Sequence, residues 1–107
     1  MKPLFQKHLL SKPVREISGE GFVFEGTLVV GDGCASLRLG DGEELVISDP
    51  NIEKRLMQAV PPYVGGHHLY YDRVRMEGVL SFDDGRIVIR KVEKGVVIRE
   101  DEGEYPF

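Results

Sequence analysis

Adjacent histidines, paired acids, one cysteine and a set of arginines flanked by tyrosines are the side chains here that could do chemistry. His67 and His68 are neighbours, and neighbours along an extended segment point to opposite sides, so they seldom chelate one ion. Structural zinc takes four Cys or His ligands. Only His8 and Cys34 remain to complete such a set, so no metal site and no cofactor are expected. The pair reads as part of a glycine-flanked loop that titrates near neutrality. Asp83-Asp84 and Glu43-Glu44 are paired carboxylates, but acid–base catalysis needs burial and a cleft. Both pairs sit at predicted turns, where such acids bond to local backbone and stay solvated. Cys34 has no histidine near it in sequence and is expected to be a small buried apolar residue rather than a nucleophile. No phosphate-cradling glycine loop, nucleophile elbow or zinc-protease motif is present. The chain is therefore expected not to be an enzyme, and no catalytic residue is assigned.

The arginines are more promising. Arg73 and Arg75 share a face of a predicted strand, Arg90 is expected to neighbour them on the next, and Tyr63, Tyr70 and Tyr71 lie just upstream. Arginines beside tyrosines can pair phosphates and stack bases. The competing reading makes them solvent-facing strand residues with Glu77 and Glu93 as cross-strand partners. A formal net charge of −4 counts against non-specific nucleic-acid binding, which needs clustered Lys and Arg.

These residues must be positioned by one small domain. At 107 residues the chain can bury one modest core, and 41% hydrophobic with 30% charged residues is ordinary for a globular protein. Its glycines and prolines fall mainly between apolar runs, which suits tight turns in an all-β fold. A lone cysteine, no continuous apolar segment at the N-terminus and no run near the roughly 20 apolar residues of a membrane span lead to a cytoplasmic expectation with no membrane partner.

Two copies of one pattern organise the chain. Phe24-Glu25-Gly26-Thr27-Leu28 returns as Met76-Glu77-Gly78-Val79-Leu80, and Asp32-Gly33 returns at the same offset as Asp84-Gly85. Phe22, Phe24, Leu28 and Val30 alternate on one face of a first strand, with Gly26 marking a bend. Ala35, Leu37 and Leu39 give a second strand, and Leu45, Val46 and Ile47 a third after the Gly40-Asp41-Gly42 turn. Asp49-Pro50 opens a short helix, with Asp as cap and Pro at its first position, and Ile52, Leu56 and Val60 on one stripe. In the second half Val74, Met76, Leu80 and Phe82 share a face around Gly78. Ile87 and Ile89 face inward, Val79, Val88 and Val97 outward, and Lys94-Gly95 gives a further turn or bulge. Residues 1–20 read as an N-terminal arm, with a helical turn between Pro3 and Leu10. Residues 21–99 read as the domain. Regular structure ends at Ile98, and 100–107 are an acidic tail.

This order resembles the OB-fold, a five-stranded Greek-key barrel with a helix between strands three and four. Leu37-Arg38-Leu39-Gly40-Asp41-Gly42-Glu43-Glu44-Leu45-Val46-Ile47 is similar to its strand 2–turn–strand 3 segment, and Asp72 to Leu80 to its fourth strand. The fold class expected is all-β with one short helix, a small closed antiparallel barrel. A six-stranded barrel of two meanders, with Val96 to Ile98 matching Leu45 to Ile47, is the structural alternative. The resemblance implies a ligand face on Ser36, Arg38, Glu44 and Val46, flanked by Gly31 to Gly33 and Asp83 to Arg86. That face has Arg38 and Arg86 but no expected outward aromatic, and Asp32, Asp41, Asp83 and Asp84 would repel phosphates.

Two functions follow as expectations. The first is a non-catalytic module for protein–protein interaction, within a complex or a homodimer, using Leu4, Phe5, Leu9 and Leu10 of the arm. Apolar residues on an arm tend to be buried against something. The alternative is single-stranded DNA or RNA binding through Arg38, Arg73, Arg75, Arg90, Tyr63, Tyr70 and Tyr71.

Overall fold

The computed structural model describes residues 2–6, 17–31, 33–40, 42–60, 68–83 and 86–107, with the side chains of residues 68 and 69 excepted. The chain is all-β with one short helix. Its elements run β1 Gly21–Gly31, β2 Cys34–Arg38, β3 Glu44–Ile47, α1 Ile52–Ala59, β4 His68–Asp83, β5 Arg86–Arg99 and β6 Gly103–Pro106. The sheet order is β3-β2-β1-β4-β5-β6, with antiparallel neighbours throughout. β3 also pairs in parallel with β5 through Val46↔Val88 and Ile47↔Ile89. The pairings therefore form a ring, β1–β2–β3–β5–β4–β1, with α1 inserted between the third and fourth strands.

Alternation sets the inner face. Phe22, Phe24, Leu28 and Val30 of β1, Leu37 of β2, Leu45 and Ile47 of β3, Val74, Met76 and Leu80 of β4, and Ile89 of β5 are all buried. The stripe Ile52, Leu56 and Val60 turns α1 onto this core, and complete burial of a leucine such as Leu56 contributes about 2 kcal/mol. The predicted hairpins form. Gly31↔Cys34 flanks a two-residue turn in which Gly33 has φ 76°, a left-handed conformation that glycine adopts without strain. Leu39 N–H donates to Glu43 O (2.7 Å) around Gly42, at φ 93°.

The two glycines of the repeat do equivalent work. A Cβ on Gly26 would lie 2.2 Å from the Arg38 carbonyl oxygen, and one on Gly78 would lie 2.7 Å from that of Lys91. The β1–β4 register shifts between Gly26 and Leu28, and the β4–β5 register shifts on either side of Gly78–Val79. Each glycine thus lets a neighbouring backbone close in where the strand bends.

Several expectations are corrected. Of the two readings of Lys94-Gly95 the bulge holds: β5 continues through it, and the register shift that leaves Glu93 without a partner on β4 puts Val92 and Val97 both on the buried side, so Val97 does not face outward. Val88 is buried where β5 is flanked by both β4 and β3. Phe82, beyond the last core layer, is half exposed. Regular structure continues past Ile98 into β6, where Tyr105 and Phe107 pack against the core. The start of the arm is extended rather than helical, since Leu4 bridges Val23 in parallel, with Phe5 N–H donating to Val23 O (2.7 Å) and Val23 N–H to Pro3 O (2.8 Å). Residues 7–10 of the expected helical turn lie outside the described residues. Lys2 pairs with Glu93, and that hydrogen bond holds the Glu93 carboxyl below the usual carboxylate range.

Asp49 and Pro50 also act differently from expectation. α1 begins at Ile52, Asn51 is its N-cap residue, and no side chain caps it. Asp49 is buried; its Oδ1 accepts from Asn51 N–H and its Oδ2 from Val92 N–H, both at 2.9 Å. Arg55 donates to the carbonyls of Val92, Glu93 (3.2 Å) and Phe107 (2.9 Å). The outer edge of β5 is thus satisfied in three stretches. β3 covers Val88–Ile89, the helix segment covers Val92–Glu93, and Phe107 with β6 covers Gly95 to Arg99. An edge left open there would be a pairing hazard.

Candidate functional site

The register of three strands brings three of the expected arginines to one place. Thr27↔Arg38 sets Arg38 beside the middle of β1, and Glu25↔Arg75 sets Arg75 beside its bend. Between Gly26↔Val74 and Leu28↔Tyr71, the single residue Thr27 faces both Asp72 and Arg73, and its Oγ1 donates to Asp72 O at 3.2 Å. This bulge turns Arg73 to the same outer side. Arg38, Arg73 and Arg75 line an open groove of about 450 Å³ whose floor includes Gly26, Thr27 and Ile98. Glu25 and Asp72 also line it, so three guanidinium groups face two carboxylates. The lining thus carries one more positive than negative charge in a chain whose net charge is −4.

All three arginines have exposed side chains and carboxylate partners. Arg75 holds Glu25 Oε1 through Nε and Nη2, both at 2.7 Å. Arg38 and Arg73 make longer contacts, to Glu44 at 3.8 Å and Glu100 at 3.9 Å. Exposed pairs of this kind are worth at most about 1 kcal/mol, so an incoming anion can replace such a carboxylate. Arg75 is the best-held and therefore the least exchangeable of the three.

Above the groove a second outward row crosses four strands. Tyr70↔Val29, Val29↔Ser36 and Ser36↔Val46 are successive pairs, and Tyr70 and Val46 are both nearly half exposed. This corrects the expectation that the face lacks an outward aromatic: β4 extends far enough upstream to carry Tyr70 onto it. Tyr71 has the opposite phase and is 2% exposed in the core, so it is no stacking surface. Tyr63 lies outside the described residues. Arg90 is exposed but does not join the groove. Val96, the partner of Arg75, is six residues beyond it, roughly 20 Å along an extended strand.

The other candidates resolve simply. Cys34 is exposed rather than buried, because Ala35 takes the inward position of β2. Glu44 pairs with Arg38, and Asp83 is exposed beside its hairpin turn. Asp32, Asp41, Asp84 and His67 lie outside the described residues. His68 enters β4 opposite Gly31. Among the described residues no group of three or more His, Cys, Asp or Glu is placed to hold a metal ion, and no helix is long and apolar enough to cross a membrane.

Of the arm residues, Phe5 lies in the chain's own core, edge-on to Phe22 (centroids 5.5 Å apart) and tilted on Phe24 (5.1 Å). Leu4 is 47% exposed, and Leu9 and Leu10 lie outside the described residues. Leu4, Val23, Val96, Pro106 and Phe107 border a second, largely apolar groove of about 570 Å³. Its rim charges are paired, Glu25 with Arg75 and Glu77 with Lys94 (3.1 Å). No protein-family model matches this chain, and neither a curated protein nor a solved structure matches it.

Proposed function

We propose that this chain is an OB-fold-like binding module that takes a short single-stranded nucleic acid on the outer face of β1, β2 and the upstream half of β4. The observation that carries the reading is the convergence of Arg38, Arg73 and Arg75 on one groove. The ring β1–β2–β3–β5–β4, with a helix between its third and fourth strands, supports the OB-fold assignment. In this reading phosphates enter the groove, where Arg38 and Arg73 exchange their long carboxylate contacts for charge-assisted bonds. A base lies against Tyr70 and Val29 in the adjoining row. Arg75 keeps Glu25 and serves as a fixed wall.

The measurement is fluorescence anisotropy with labelled oligothymidylate and oligouridylate of about ten nucleotides. Micromolar binding at low salt is expected. Arg38→Ala with Arg73→Ala should weaken it more than about tenfold, and should flatten the slope of log K against log salt by about 1.4, for two lost phosphate contacts. Tyr70→Ala should cost at least about fivefold without changing that slope. No binding at low salt to either oligomer would remove this reading.

A second reading is protein interaction, favoured by the apolar groove beside Leu4. Its rim carries both charge signs, which suits a second copy of the chain. Leu4→Asp should then abolish a concentration-dependent rise in sedimentation coefficient. A wild-type chain that stays monomeric up to high concentration leaves the groove without this role.

A further inference from the structure

Beside the arginine groove lies a second depression of about 480 Å³, and the two share Asp72, Arg73 and Ile98. Its far wall is the β5–β6 turn, Glu100, Asp101 and Glu102. Resting on the nucleic-acid reading above, we infer that this acidic turn is an intramolecular competitor that sets how tightly the groove holds phosphate. The turn is not a loose acidic tail. Glu102 N–H donates to Arg99 O (3.2 Å), and Gly103 follows at φ 102°. The Glu102 side chain is met by Arg99 Nη1 at 3.5 Å and by the Tyr105 hydroxyl, which donates at 3.4 Å. Arg99 is itself buried and lies 5.3 Å from the Tyr105 ring centre.

This construction divides the three acids. Glu102 anchors the turn, while Glu100 and Asp101 stay exposed on the side of Arg73. Glu100 Oε1 stands 3.9 Å from Arg73 Nη1 with its side chain 83% exposed. A phosphate binding Arg73 must displace Glu100 and then remain within a Debye length of both carboxylates. The turn therefore lowers affinity for any phosphate at this end of the groove. It leaves the Arg38 end, which faces β3, unaffected.

The test compares oligothymidylate binding by wild type, by E100Q/D101N and by E20Q/E53Q, which makes the same change in net charge away from the groove. Glu102 is left intact because it holds the turn. E100Q/D101N should bind about fivefold more tightly at low salt, the gain fading as salt rises, and the control should change less than about twofold. In an Arg73→Ala background the gain should largely vanish. If wild type binds and E100Q/D101N merely matches the control, the competitor role is wrong and the nucleic-acid reading stands. If none of the proteins binds, the nucleic-acid reading fails and takes this inference with it.

Discussion

Gly26→Ala is expected to be the most damaging single-atom addition among the strand glycines. A Cβ there would lie 2.2 Å from the Arg38 carbonyl oxygen and 3.0 Å from its carbon. Both are backbone atoms, in the strand paired to β1 by Thr27↔Arg38 and its neighbours, so no rotamer change relieves the clash. Relief requires β1 and β2 to separate, which would strain the pairs on which the core face rests. The cost should be about 3 kcal/mol or more, beyond ordinary overpacking. For a domain near 100 residues that lowers Tm by about 15 °C. Gly78→Ala should cost less. Its Cβ would meet the Lys91 carbonyl at 2.7 Å, and its next contact, at 3.1 Å, is the Ile89 Cγ2, which can shift. Gly40→Ala meets nothing within 4 Å and should be within about 0.5 kcal/mol of wild type. Thermal unfolding by circular dichroism ranks the three. If Gly26→Ala melts like Gly40→Ala, the close approach at the bend is not a constraint on this fold. The same substitution bears on the arginine groove, because Gly26 forms part of its floor and Arg38 part of its wall.

The bend glycines were legible in sequence because they recur at one offset inside alternating apolar runs. The strand faces of β1, β2 and the core of β4 were legible for the same reason: period-two burial leaves a direct imprint on residue type. What depends on pairing register left no such imprint. Arg38 and Arg73 are far apart in sequence and meet only because Thr27 pairs with Arg38 on one side and faces a bulge on the other. Tyr70 and Tyr71 are chemically equal, and the position of that bulge decides which is buried. Arg90 stands apart from Arg75 because Arg75 pairs with Val96 further along β5, a register that residue type alone does not announce. β6 was hidden by composition. Glu100, Asp101, Glu102 and Glu104 read as a solvated tail, although Gly103 followed by Tyr105 and Phe107 at a spacing of two was an available strand signal. Asp49 reads as a helix cap, since nothing local announces that β5 needs partners from Asp49 and Arg55.

Asp49 joins helix entry to sheet edge with its two oxygens. Asp49→Ala removes the acceptors of Asn51 N–H and Val92 N–H together, and the latter bond is buried. Leaving a buried donor without a partner costs about 1–3 kcal/mol, so a total near 3 kcal/mol is expected. Asp49→Asn separates acceptor geometry from a generic polar role. An asparagine offers one oxygen and two donors, so its amide nitrogen must face one of the two N–H groups. It should therefore recover only part of the loss and still cost about 1–2 kcal/mol. Asn51→Ala is the control for helix capping, since Asn51 makes no side-chain cap bond, and it should cost little. Hydrogen exchange adds a local readout. The Val92 amide should exchange far faster in Asp49→Ala, while amides of the β1–β4 ladder slow or quicken only with global stability. An Asp49→Asn variant as stable as wild type, with Val92 still protected, would show that Asp49 does not close this edge. In that case the burden falls on Arg55, whose contacts to the carbonyls of Val92, Glu93 and Phe107 would hold α1 against β5 unaided.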